Sequence, residues 1–261
     1  MNRLRKKLDN LLIEDKKALV AYLVAGDPDI DTTLDLMHLF VESGVDIIEI
    51  GVPFTDPIAE GPTIQRAHDR ALKNNVSLLD IINLVIKFRE TNDSTPIILM
   101  GYLNTFSFHK SLIDQSDKNG VDAVLVVDIP GELSISNYGL SNPNIDSISL
   151  ISPTTSQDRV EKIAKNASGF IYYVTLRGVT GSSNLDVEEI NKNIQKIRSY
   201  SNIPVLAGFG IKSNEDAKLL SEYSDGIIVG SSIVDMIDQE AESKQFDRIG
   251  KYLRELKNAI S

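Results

Sequence analysis

The stretch from Asp46 to Gln65, Asp-Ile-Ile-Glu-Ile-Gly-Val-Pro-Phe-Thr-Asp-Pro-Ile-Ala-Glu-Gly-Pro-Thr-Ile-Gln, carries two glutamates in unlike settings. Glu49 interrupts an apolar run between Ile47, Ile48 and Ile50, and Glu60 closes a proline-rich loop eleven residues on. An apolar run broken by Gly and Pro reads as a strand. Side chains alternate along a strand, so Glu49 shares a face with Ile47 and Gly51 and opposes Ile48 and Ile50. A carboxylate inside such a strand must be paired, protonated or functional. No Lys or Arg occurs between residues 18 and 65, so a pairing base would have to come from elsewhere in the chain. Two carboxylates in different environments can divide acid and base roles. Glu60 also fits a solvated loop acid.

Gly-rich turns follow the last three apolar runs: Leu176 to Ser183, Gly208-Phe209-Gly210 and Gly230-Ser231-Ser232. Glycine lets the backbone approach a ligand, and N–H groups opening a helix favour an anion. Each turn, taken singly, is equally explained by chain reversal. Asp27, Asp56 and Asp128 suit turn or cap positions. His38, His68 and His109 stand singly in helical segments without metal-ligand spacing and read as structural. No Ser/His/Asp arrangement, Walker-type loop or nicotinamide fingerprint is visible.

These residues need a scaffold, and the chain supplies a regular one. Apolar runs recur at Ala18–Gly26, in the central stretch, and at Pro96–Tyr102, Val121–Val127, Ser147–Ile151, Gly169–Val174, Pro204–Ala207 and Gly226–Val229. Amphipathic segments alternate with them. One runs from about Asp31, with Leu34, Met37, Phe40 and Val41 on a face. Others cover 63–73, 78–91 (capped by Ser77 with Asp80), about 106–118, 156–166, 186–199, 213–222 and 242–259. Short, fully apolar strands between such helices imply a parallel sheet covered on both faces. Eight units favour a single-domain (β/α)8 barrel over residues 1–261, with an extra N-terminal helix carrying Leu4, Leu8, Leu11 and Leu12. Such barrels place active sites at the C-terminal ends of their strands, where Glu49, Tyr102, Asp128, Thr180, Gly210 and Gly230 fall.

The totals agree. A barrel of this kind takes about 250 residues, and the chain has 261. The net charge of −10 argues against nucleic acid as a main partner. With no cysteine, disulfides and thiol catalysis are out. No apolar run reaches the roughly 18–20 residues of a membrane span, and the expected location is cytoplasmic.

Taken together, Glu49 to Gln65, Arg177-Gly-Val-Thr-Gly181, Gly208-Phe-Gly210 and Gly230-Ser-Ser-Ile-Val234 closely resemble the tryptophan synthase alpha chain, in order, over nearly the whole sequence. The resemblance implies a TIM barrel that cleaves indole-3-glycerol phosphate to indole and glyceraldehyde 3-phosphate. It implies no cofactor in this chain, pyridoxal phosphate in a beta partner, and an α2β2 assembly. Glu49 matches the family's acid/base. The family's second acid is an aspartate, where this chain has Glu60. Thr180 and Gly181 match a loop that closes over substrate; Gly181, with Gly210, Gly230 and Ser231, also falls to phosphate binding. Tyr22, Met100 and Tyr172 match pocket-lining positions, and Asp56, Pro57 and Asn104 match the face meeting the beta chain. Two rivals stand beside this reading. One is another phosphate-binding barrel, of the phosphoribosylanthranilate isomerase or indole-glycerol-phosphate synthase type. The other is a silent barrel kept to activate a beta chain.

Overall fold

The structure, a computed structural model, describes residues 2–175, 187–208, 210–211 and 213–261. Helix α1 (Arg3–Ile13) leads into strand β1 (Ala18–Val24), α2 (Ile30–Glu42), β2 (Ile47–Gly51), α3 (Pro62–Lys73), α4 (Leu78–Arg89) and β3 (Ile97–Gly101). Short helices α5 (Leu103–Phe108) and α6 (Lys110–Ile113) precede β4 (Ala123–Val126), β5 (Asp146–Ser147) and β6 (Ser149–Ile151). Then come α7 (Gln157–Asn166), β7 (Ile171–Val174), α8 (Val187–Arg198), β8 (Val205–Gly208), α9 (Asn214–Ser221), β9 (Gly226–Val229), α10 (Ser231–Glu240) and α11 (Asp247–Ala259).

The strand order is β5-β4-β3-β2-β1-β9-β8-β7-β6, with parallel pairing throughout. Only Ile148 separates β5 from β6, and its N–H donates to the Val124 carbonyl at 2.9 Å. The two segments are halves of one strand that passes the ladder from β4 to β7. The ring is therefore closed, a (β/α)8 barrel of the TIM type.

Every residue of β1 and β2 is buried, as expected where helices cover one face and a packed interior fills the other. Leu19, Ala21, Leu23, Ile48 and Ile50 belong to the layer beneath the helices, while Val20, Ile47, Ile98, Ala123, Leu206 and Ile228 form the inner core. Helix α1 stoppers that core with Leu4, Leu8 and Leu11. Leu12, expected on the same stripe, is 68% exposed, because it lies a residue past the buried face. Truncating the fully buried Leu4 to Ala leaves a cavity at the barrel floor; the expected loss, read by urea denaturation, is about 2–5 kcal/mol.

The floor is braced by a recurring device. Asp46, Asp122 and Asp225 each directly precede a strand, and each accepts the N–H of a residue starting its neighbour. Leu19 N–H donates to Asp46 at 2.9 Å, Ile97 N–H to Asp122 at 2.9 Å and Val205 N–H to Asp225 at 2.7 Å. Lys257, Arg89 and Arg198 supply the respective countercharges.

Three expectations need correction. The helix expected over about 106–118 is α5, α6 and a 3-10 turn at Ser116–Asn119, broken at His109 (φ −104°, ψ 32°). Asn, Thr and Ser in α5 compete for backbone hydrogen bonds, and Asp128 accepts the Leu103 N–H at 2.8 Å, starting the helix early. The final helix expected over 242–259 begins at Asp247, after a turn in which Lys244 adopts φ 52°, while Ser231–Glu240 forms its own helix. In α2 the buried face uses Leu36 with Met37 and Phe40; Leu34 and Val41 are only half-buried.

Candidate active site

Glu49 points into the barrel mouth from the middle of β2. It is 2% exposed, and its Oε1 has no hydrogen-bond partner among the described residues. Among the described residues no cation is paired with it. Burial, reinforced by the nearby charge of Glu60, pushes its carboxyl up to about 8. At neutral pH Glu49 is an acid with a proton to give.

Glu60 reaches the same pocket from the loop between β2 and α3, and it is buried rather than solvated. Its Oε2 accepts the Tyr102 O–H, and Tyr102 in turn accepts the Ala59 N–H at 3.0 Å. Phe54 stacks on the Tyr102 ring with centroids 4.6 Å apart. The side chain of Gln65, on α3, donates to the Glu60 carbonyl at 2.9 Å. The loop is thus built around one tyrosine. Burial lifts the Glu60 carboxyl to about 7, against the lowering effect of the Tyr102 hydrogen bond.

The pocket encloses about 200 Å³, many times the roughly 15 Å³ that one ordered water needs. It is lined by Met100, Val127, Leu150, Ile228, Tyr22 and Tyr172 around the two acids. Such a largely apolar cavity suits a flat aromatic group. The Tyr22 hydroxyl is buried without a hydrogen-bond partner among the described residues, and it explains Gly51: a Cβ there would lie 2.2 Å from that oxygen.

Gly210, Gly230 and Ser231 also line the pocket. Gly210 has φ 76°, a conformation that favours glycine. Gly230 caps α10, whose first turn has no acidic residue and no side-chain cap. The Ser232 hydroxyl donates to the Ile211 carbonyl at 3.1 Å, tying the two loops together. Helix N–H groups left available in this way suit a phosphate.

Two acids, an apolar slot and an anion-ready helix end thus share one cavity at the C-terminal mouth of the barrel. The family model for "Tryptophan synthase alpha chain" matches residues 8–261. This chain belongs to the tryptophan synthase alpha chain family. The alpha chain of Neisseria gonorrhoeae is 46% identical over 263 residues, covering all of both chains. That of Nitrosomonas europaea is 43% identical over 264 residues, covering all of this chain and 96% of its own. Among solved structures, the alpha subunit from Legionella pneumophila superposes with a TM-score of 0.88 at 38% identity, covering 100% of this chain and 98% of its own. Tryptophan synthase from M. tuberculosis, in an aminoacrylate-bound form, gives 0.84 at 25% identity over the whole of both chains. As a tryptophan synthase alpha chain, the protein is a carbon–carbon lyase of tryptophan biosynthesis that cleaves indole-3-glycerol phosphate to indole and glyceraldehyde 3-phosphate.

Of the residues singled out from the sequence, Glu49, Glu60, Tyr22, Met100, Tyr172, Gly210, Gly230 and Ser231 meet in this pocket. Thr180 and Gly181 lie outside the described residues. Asp56 and Asn104 are exposed and Pro57 half-buried; Asp56 and Pro57 stand on the loop after β2 and Asn104 in the first turn of α5, and none of them lines the pocket. Two participants were not singled out as site residues. Tyr102 holds Glu60. His68, read as structural, is buried with its Nε2 3.9 Å from Glu60 Oε1. A lone histidine in a helical pattern gives no signal for this; only the fold of the preceding loop reveals it. Among the described residues no acid and histidine cluster could hold a metal, and no helix is long and apolar enough to cross a membrane.

Proposed function

We propose that Glu49 is the acid and base of the cleavage, and that Glu60 steadies the positive charge arising at the indole nitrogen. Indole is a poor leaving group until its ring carbon at the scissile bond is protonated. Glu49, held protonated by burial, gives that proton, and the ring becomes an indoleninium whose N–H hydrogen-bonds to ionised Glu60. The Glu49 carboxylate then takes the proton of the adjacent glycerol hydroxyl. The carbon–carbon bond breaks, its electrons rearomatise the indole, and the hydroxyl carbon becomes the aldehyde. Glu49 ends protonated, so the proton balance closes within one residue.

The observation that carries this reading is the buried Glu49, its Oε1 without a hydrogen-bond partner among the described residues, facing the same cavity as Glu60. Tyr22, Met100 and Tyr172 would sandwich the indole, and Gly210, Gly230 and Ser231 would take the phosphate. Thr180 and Gly181 belong, on the resemblance, to the closing loop and phosphate site. The chain works as one barrel domain in the cytoplasm, with Asp56, Pro57 and Asn104 facing a beta chain in an α2β2 assembly. It needs no cofactor of its own, pyridoxal phosphate residing in that partner. Support for the partner comes from the M. tuberculosis neighbour, which is a tryptophan synthase.

The test is indole release from indole-3-glycerol phosphate by the chain alone and with its beta chain, followed against pH. Release should rise with the partner. It should fall below about 7, where Glu60 protonates, and above about 8, where Glu49 loses its proton. A chain that stimulates its partner yet releases no indole would instead be the silent barrel.

A further inference from the structure

His68 lies on α3, 1% exposed, in the second turn after the loop that carries Glu60. Its Nδ1 accepts the Phe54 N–H at 3.1 Å. A neutral imidazole has one N–H, so a hydrogen bond accepted at Nδ1 places the proton on Nε2. Burial keeps the ring neutral, lowering it to about 4 although Asp69 acts in the opposite sense. The Nε2 atom is buried without a hydrogen-bond partner among the described residues, and Glu60 Oε1 is 3.9 Å away. The other oxygen of the same carboxylate already receives the Tyr102 O–H.

We propose that His68 is a positioning residue for Glu60, its Nε2–H closing onto Oε1 when the substrate ring seats and holding the carboxylate ionised and aimed. The inference rests on the role given to Glu60 above and extends it. The gap is too long for a hydrogen bond, but a glutamate side chain has the torsional freedom to close it. Tyr102 and His68 then grip the carboxylate from two sides, leaving a lone pair for the indole N–H. The groups bearing on Glu60 are Tyr102 from the loop after β3, Asp128 after β4, Glu49 on β2 and Tyr22 on β1, with His68 from α3. Tyr102 and His68 bring donors to Glu60, and Asp128 opposes its ionisation by its charge, whereas Glu49, protonated where Glu60 titrates, carries none.

Two substitutions separate the ring's two contacts. His68→Asn keeps an acceptor near the Nδ1 position for Phe54 and removes the donor facing Glu60. His68→Gln places a donor near Nε2 and gives up the Phe54 contact. The expected result for His68→Asn is a fall of about tenfold in kcat, with KM little changed. Its acid limb should move to higher pH by about one unit. His68→Gln should keep the wild-type limb and most of kcat. Equal losses in both variants, or an unmoved acid limb in His68→Asn, would overturn the proposal. The second readout needs no turnover and therefore survives failure of the lyase assignment. Nitrogen-15 NMR of the wild-type chain should show His68 neutral and protonated on Nε2 across pH 6–8, and carbon-13 NMR should show Glu60 titrating higher in His68→Asn. An Nδ1-protonated ring in the wild type would overturn the proposal even if the variants did not fold.

Discussion

Replacing Glu49 by Gln is expected to lower indole release about 10,000-fold, near the upper end of what a single acid–base group supplies. The expectation follows from the double duty proposed for this one side chain, which both gives and takes a proton. Gln is isosteric and uncharged, and at neutral pH it replaces a carboxyl that burial already keeps mostly protonated. The cavity should therefore bind substrate as before. Isothermal titration with indole-3-glycerol phosphate should return a dissociation constant within about threefold of wild type, a difference well under 1 kcal/mol. Loss of binding together with turnover would place Glu49 in substrate recognition instead.

Replacing Glu60 by Gln is the second large effect. An amide can still accept the indole N–H but carries no charge to meet the developing cation, and a loss of about 100-fold is expected. Near-normal turnover would remove Glu60 from the mechanism. Glu60→Asp is the informative companion, because the resemblance implies an aspartate at this position. In this chain the Glu60 carboxylate is fixed by Tyr102, which also binds the Ala59 N–H. Shortening the side chain withdraws the carboxylate by roughly 1 Å if the backbone stays put, and misplacement of that size can cost up to about 100-fold. Aspartate should thus make this chain slower. A Glu60→Asp variant as fast as wild type would show that the loop adjusts freely.

Much of this was legible in the residues, for identifiable reasons. Strand alternation put Glu49 on one face with Ile47, and the structure makes that face the inward one. The eight apolar runs foretold the closed sheet, because fully buried parallel strands leave no amphipathic ambiguity. The capping box at Ser77 and Asp80 marked the start of α4. What escaped was decided by tertiary contacts. The early start of α5 comes from Asp128, after the neighbouring strand β4, accepting the Leu103 N–H, which local propensity does not register. The role of Tyr102 depends on a loop from another β/α unit folding over it. The place of His68 depends on the Phe54 N–H, fourteen residues earlier, turning toward α3.

The aspartates that precede β2, β4 and β9 have a consequence for the opposite end of the barrel. Each ties the start of its strand to a particular N–H of the neighbouring strand. Sliding a strand by one residue would reverse every side chain along it. It would carry Glu49 out among the helices and bring Ile48 into the cavity. Asp46 is thus an address label: three residues upstream, on the face remote from the chemistry, it dictates which residue of β2 the substrate meets. A barrel indexed from below can exchange residues at its rim without losing its place, so the acid at position 60 can change while the count along the strand beneath it holds.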